Sequence, residues 1–148
     1  GSYQSLKFAP NFKAKSPSGD TCIRIVYDVN KDSETLWTGI LWADPCNSWA
    51  SKKGGYDLTG FKKLTFYARG EGFIQTFKMG GIPDATEQGD TAEAYIEGID
   101  LTPEWKKYEI DLKGLDLSHI VCGFGFATPS DVNPKNVVLF LDDIVYSK

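Results

Sequence analysis

The feature that most constrains this chain is a side-chain period of two. Apolar residues alternate with polar ones in short runs, and clusters of Gly, Pro, Asp and Asn separate one run from the next. No window of eleven or more residues sustains an apolar stripe at i, i+3, i+4 and i+7, which is what an amphipathic helix would require. Strands are expected over 21–29, 36–43, 64–69, 73–79, 91–99, 106–112, 120–127 and 137–146. In 64–69, Leu64, Phe66 and Ala68 share one face, and Thr65, Tyr67 and Arg69 the other. In 106–112, Tyr108, Ile110 and Leu112 point inward while Lys107, Glu109 and Asp111 point to water. The run 120–127 interleaves Ile120, Cys122, Phe124 and Phe126 with Val121, Gly123, Gly125 and Ala127, so something bulky is expected against its small-residue face. The last run is almost continuously apolar, as a strand covered on both faces reads.

Eight or nine such strands in antiparallel order predict an all-β fold, a two-sheet antiparallel β-sandwich or jelly roll, rather than βαβ units. With 148 residues and no linker, repeat or low-complexity tract, one domain over 1–148 is expected, with Gly1-Ser2 reading as the remnant of a removed tag. Loops 44–58 and 80–90 are the longest and the richest in Gly, Pro, Asp and Ser, and functional segments often occupy such loops.

Several chemistries are disfavoured. The net charge is −4 and no Lys/Arg run exceeds two residues, so no nucleic-acid footprint is present. No apolar run approaches the ~20 residues of a membrane helix, so no membrane insertion is expected. His119 is the one histidine, no G-x-S-x-G motif accompanies it, and no His/Cys cluster has zinc spacing. Gly54-Gly55 and Gly80-Gly81 lack the strand–helix context of a phosphate loop. The carboxylates fall mostly on solvent faces and in turns. No catalytic residue is assigned, and an enzyme is not expected. Three cysteines, Cys22, Cys46 and Cys122, allow at most one bridge. Cys22 and Cys122 lie in apolar runs where a free thiol serves as a small hydrophobe, and the redox compartment stays open.

Aromatic residues are the positive signal. Three of the four Trp fall within 37–49, and stacking indoles beside polar side chains suit the apolar faces and hydroxyls of sugars. In a regular strand Trp37 and Trp42 face opposite sides, one to the core and one to solvent. Trp49 lies in a polar loop. The carbohydrate-contacting candidates are Trp37, Trp42, Trp49, Tyr67, Arg69, Gln75 and Lys78, the last four as a polar face of neighbouring strands. Trp105 is expected to anchor the turn into the sandwich. Asp142 and Asp143, adjacent in an apolar strand, need compensation for their charge. A structural calcium, which takes about six to eight oxygens, would supply it, with Asp20 as a co-ligand; loop capping or salt bridging is the alternative.

The stretches Trp37-Thr38-Gly39-Ile40-Leu41-Trp42 with Asn47-Ser48-Trp49, then 54–70, Lys78-Met79-Gly80-Gly81-Ile82, 101–112 and Leu141-Asp142-Asp143-Ile144 occur in a telling order. On them the chain resembles carbohydrate-binding modules of the galactose-binding-like jelly-roll superfamily, which are appended to bacterial glycoside hydrolases and surface glycan-binding proteins. The resemblance implies a two-sheet sandwich and frequently a structural calcium with the terminal-strand Asp, here Asp142 or Asp143, among its ligands. The expected function is a non-catalytic polysaccharide- or oligosaccharide-binding module. It would be monomeric, tethered in a larger secreted or cell-surface multimodular protein, and extracellular. The alternative is a protein adhesion or assembly domain using the same exposed aromatics.

Overall fold

The computed structural model describes residues 3–31, 35–82 and 88–148. Among the described residues nine strands are formed: β1 (Leu6–Lys13), β2 (Thr21–Tyr27), β3 (Trp37–Ala43), β4 (Lys63–Glu71), β5 (Phe73–Gly80), β6 (Glu93–Asp100), β7 (Lys106–Asp111), β8 (Cys122–Pro129) and β9 (Val137–Ser147). They build two antiparallel sheets, β1-β2-β9-β4-β7 and β3-β8-β5-β6, packed face to face as a jelly-roll β-sandwich. We call these the five-stranded and the four-stranded sheet. Among the described residues no helix is long and apolar enough to cross a membrane.

The alternation predicted for 64–69 and 106–112 is present. Leu64, Phe66, Ala68, Tyr108 and Ile110 are buried between the sheets, and Lys107, Glu109 and Asp111 are exposed. The centre of the core is aromatic. Phe66 lies 4.8 Å from Phe77, 5.0 Å from Phe124 and 5.5 Å from Tyr108, ring centre to ring centre. Such offset and edge contacts add about 0.5–1.5 kcal/mol each beyond the burial itself.

Three irregularities depart from the simple pattern, and each has a physical reason. β1 was not anticipated, because Pro10 and a register shift between Ala9 and Phe12 break its alternation. It is an edge strand, where a missing N–H costs least. In β9 the register against β4 shifts between Thr65 and Tyr67, opposite Asp142-Asp143. Asp143 takes a positive φ of 48° there. The extra residue lets Leu141 and Ile144 both reach the core, so the two carboxylates need not enter it. Third, Ile74 and Phe77 are both buried although three apart, with Gln75 exposed between them. The partner strand keeps step through Gly98, whose φ of 68° lets Ile96 and Ile99 both face the core.

The 44–58 loop and the described ends of the 80–90 loop meet at one end of the four-stranded sheet. The Asp90 carboxylate accepts hydrogen bonds from the Val121 and Cys122 N–H groups and from the Ile82 N–H at 2.8 Å. The two nitrogens of the His119 ring lie 2.8 Å from the Gly89 and Gly54 carbonyl oxygens, joining one loop to the other. His119 is thus a structural tie. Cys22 and Cys122 are buried free thiols and Cys46 is an exposed one.

Candidate functional site

The outward face of the four-stranded sheet follows from register. Leu41 pairs with Gly125, Gly125 with Lys78 and Lys78 with Tyr95, so these four form one row across the sheet. The next row is Gly39, Ala127, Thr76 and Glu97. Directly opposed residues in antiparallel strands point to the same side. The neighbours Ile40, Phe126, Phe77 and Ile96 take the other side and enter the core. The outward floor is therefore built of Gly39, Gly125, Ala127 and Thr76, with Lys78 rising beside them from the central strand β5 and Leu41 from the edge strand β3.

Aromatic side chains stand at the margins of this floor. Trp37, at the start of β3, is 46% exposed, and Tyr95, on the opposite edge strand β6, is 55% exposed. Three inter-strand steps, roughly 14 Å, separate β3 from β6, and Trp37 lies roughly 13 Å along its strand from the Leu41 row. At the far end the loop after β3 settles on the sheet. Ala50 and Ile82 pack with Leu41, Ala43, Val121 and Cys122 in a small second core. Ser48 Oγ donates to the Pro45 carbonyl at 2.8 Å, and Gly55 N–H donates to Asp44 Oδ2 at 3.1 Å. Burying Ser48 and Ala50 turns the intervening Trp49 outward, at 71% exposure and with a positive φ of 48°. Lys78 reaches Glu93 at 2.6 Å, directly above Gly81, where a Cβ would collide with both side chains. The bulky partner expected over the Gly123–Ala127 face is thus only partly supplied by the protein. Leu41 lies against Gly125, which is buried, while Gly39, Ala127 and Thr76 present only small outward groups.

The predicted binding residues separate into three places. Trp37 and Lys78 line the trough, with Trp49 on the loop at its end and Gln75 exposed at the β5 irregularity. Trp42 is turned into the sandwich, 5.6 Å from Phe124 and 6.2 Å from Phe8, as the opposite parity of Trp37 and Trp42 requires. Tyr67 and Arg69 do not share a face with Lys78, because they lie on the outside of the five-stranded sheet, across the sandwich. There Arg69 stacks 4.3 Å from the Phe140 ring and 5.2 Å from the Trp105 ring, while Arg24 lies over Phe12 and Phe140. Trp105 is on this outer face too. It ties down the β1–β2 loop by donating Nε1–H to the Lys15 carbonyl at 3.2 Å, and does not enter the core. Tyr95, Glu97, Thr76 and Leu41 were not anticipated as site residues. Their signal was present, in the alternation of Glu93, Tyr95 and Glu97, but it also describes an ordinary solvated edge.

Asp142 and Asp143 border a recess with Thr21 and Cys22, the residues that follow Asp20. Asp142 accepts a hydrogen bond from Ser18 Oγ at 3.3 Å, Asp143 occupies the bulge, and Asp20 is exposed in the β1–β2 turn. Among the described residues no group of three or more His, Cys, Asp or Glu could hold a metal ion. These carboxylates alone do not make the donor set that calcium needs.

The family 11 carbohydrate-binding module of a cellulosomal cellulase of Clostridium thermocellum superposes with a TM-score of 0.62 at 17% identity, over 97% of this chain and 80% of that one. The chain shares the two-sheet β-sandwich fold of that module. A mutant of a family 29 carbohydrate-binding module aligns at 13% identity and a TM-score of 0.45, over 96% and 91% of the two chains, and adds nothing to that conclusion. No protein-family model matches the chain, and no curated protein matches its sequence.

Proposed function

We propose that this module binds polysaccharide, without catalysis, in the trough of the four-stranded sheet. The observation that carries the proposal is the contrast between a floor of Gly39, Gly125, Ala127 and Thr76 and the exposed rings of Trp37 and Tyr95 at its margins. A sugar chain lying on the floor would stack its C–H faces on those rings. Lys78, Glu93, Glu97 and Thr76 would take its hydroxyls by hydrogen bonds. The carbohydrate-binding fold of the family 11 neighbour supports the same reading. A site with so few rings binds in the micromolar to millimolar range, about −8 to −4 kcal/mol. Useful retention then depends on attachment to a larger secreted or cell-surface protein.

Native affinity gels with a panel of neutral plant, algal and host polysaccharides test this, run with calcium and with chelator. Retardation by a subset of the glycans supports the reading. Uniform free migration refutes it and favours the protein-interface alternative, for which Trp49 and Tyr56 are among the exposed rings. Calcium enters this proposal as a condition only, and a chelator effect would assign it a part in binding or folding.

A further inference from the structure

The outside of the five-stranded sheet carries a second recess, away from the trough. It has a volume of about 530 Å³ and is lined by Lys15, Ser16, Tyr67, Arg69, Glu104 and Trp105, with Pro17 and Pro103 at its border. That volume is within the range of small-ligand sites. Tyr67 and Trp105 are its apolar walls, and the Trp105 ring is fixed by the bond from Nε1–H to the Lys15 carbonyl.

The polar groups bordering this recess are undersupplied with partners. Arg69 has one hydrogen bond, a long one of 3.5 Å from Nη1 to the Pro103 carbonyl, and its Nε is buried without a partner. Ser16 Oγ, on the same lining, is likewise buried without one. Among the described residues no carboxylate lies within ion-pairing distance of Arg69 or Lys15. Aromatic stacking holds the guanidinium in place from Phe140 and Trp105 without satisfying its donors. A fixed, unpaired guanidinium between aromatic walls, in a recess that Lys15 also lines and with the Lys107 ammonium 5.8 Å from the Tyr67 ring, fits a planar anion carried on a flat apolar body.

We infer that this recess is a second saccharide site, selective for a uronic acid. The sugar carboxylate would meet the Nη edge of Arg69 and the Lys15 ammonium, and the pyranose ring would lie between Tyr67 and Trp105. Glu104 on the rim opposes the anion and limits affinity. The site is independent of the trough, so the two can fail separately.

The test is calorimetric titration of the whole chain with a galacturonate trimer, a sulfated neutral trisaccharide and an unsubstituted glucose trisaccharide. The galacturonate trimer should bind, and its affinity should fall as salt is raised. Glu104→Gln should tighten binding about two- to threefold, and Lys15→Gln should weaken it by a similar factor. Arg69→Lys should weaken it about tenfold, since a point charge replaces the planar fork. Ala127→Trp, which fills the trough, should leave it unchanged. Both Glu104 and Lys15 are exposed, so their variants remain informative even if the Arg69 variant does not fold. Absence of galacturonate binding would overturn the inference, as would affinity indifferent to Glu104 and Lys15. Equally tight binding of the sulfated sugar would overturn the uronate selectivity.

Discussion

The two outer faces of this sandwich solve the same problem in opposite ways. On the five-stranded sheet, bulky residues cover the strands themselves: Phe12, Arg24, Phe140, Arg69 and Trp105 interleave cations with rings along adjacent strands. On the four-stranded sheet the outward positions Gly39, Gly125, Ala127 and Thr76 are small, with Lys78 beside them on β5, and the rings stand at the edges. The first arrangement contributes stability, at about 0.5–2 kcal/mol per stacked cation. The second forgoes that contribution and leaves a long floor for something outside the protein to cover. The composition of its surface centre, rather than its number of aromatic residues, therefore distinguishes a sheet face that can seat a chain along its length from one that leaves only a local recess.

Making the small-residue face resemble the bulky one should have the largest effect. Ala127→Trp places a ring on the floor beside Gly39 and Thr76. It should abolish polysaccharide retardation in an affinity gel while leaving the far-ultraviolet circular dichroism unchanged. Removing a marginal ring should cost less: Trp37→Ala is expected to weaken binding about tenfold, and Tyr95→Ala by a smaller factor, by calorimetry. The converse change, Arg69→Ala, strips the bulky face. It should lower unfolding stability by about 1–3 kcal/mol in urea while leaving affinity for neutral glycan intact. A loss of neutral-glycan binding in that variant would erase the functional distinction between the faces.

The smallest effect concerns the thiol under the loop at the end of the trough. Burial, with the Asp90 charge adding to it, pushes the Cys122 thiol up to about 11 from its ordinary 9.0. The folded state thus holds that proton more tightly than the unfolded chain. Its stability advantage is complete below pH 9.0 and is lost as pH rises towards about 11. Cys122→Ala should flatten the alkaline limb of a stability–pH curve, leaving the rise in the Tyr146 hydroxyl, also from burial, as a residual source of alkaline sensitivity. In the native protein at neutral pH, an alkylating reagent should modify Cys46 first, because Cys22 and Cys122 are buried.

Much of the fold was legible because strand parity is a local property. The inward sets Leu64, Phe66, Ala68 and Tyr108, Ile110 could be read from alternation, and so could the opposite facing of Trp37 and Trp42. Parity does not say which sheet a strand joins, so Tyr67 and Arg69 were grouped with Lys78 although the sandwich lies between them. The bulge at Asp142-Asp143 hid for a related reason. Two adjacent acids in an apolar run suggest a charge to be neutralised until the pairing with β4 shows an extra residue. Pro10 concealed β1, and Tyr95 was concealed by flanking glutamates that mark a solvated edge as readily as the rim of a binding face.

The most direct test follows the four indole N–H signals in a nitrogen-15 NMR titration with a neutral oligosaccharide that retards the module. The trough reading predicts that the Trp37 signal shifts together with the amides of Gly39, Gly125, Ala127 and Tyr95, while Trp42 and Trp105 stay in place. Shifts confined to Trp105, Arg69 and Phe140, with Trp37 unmoved, would contradict it.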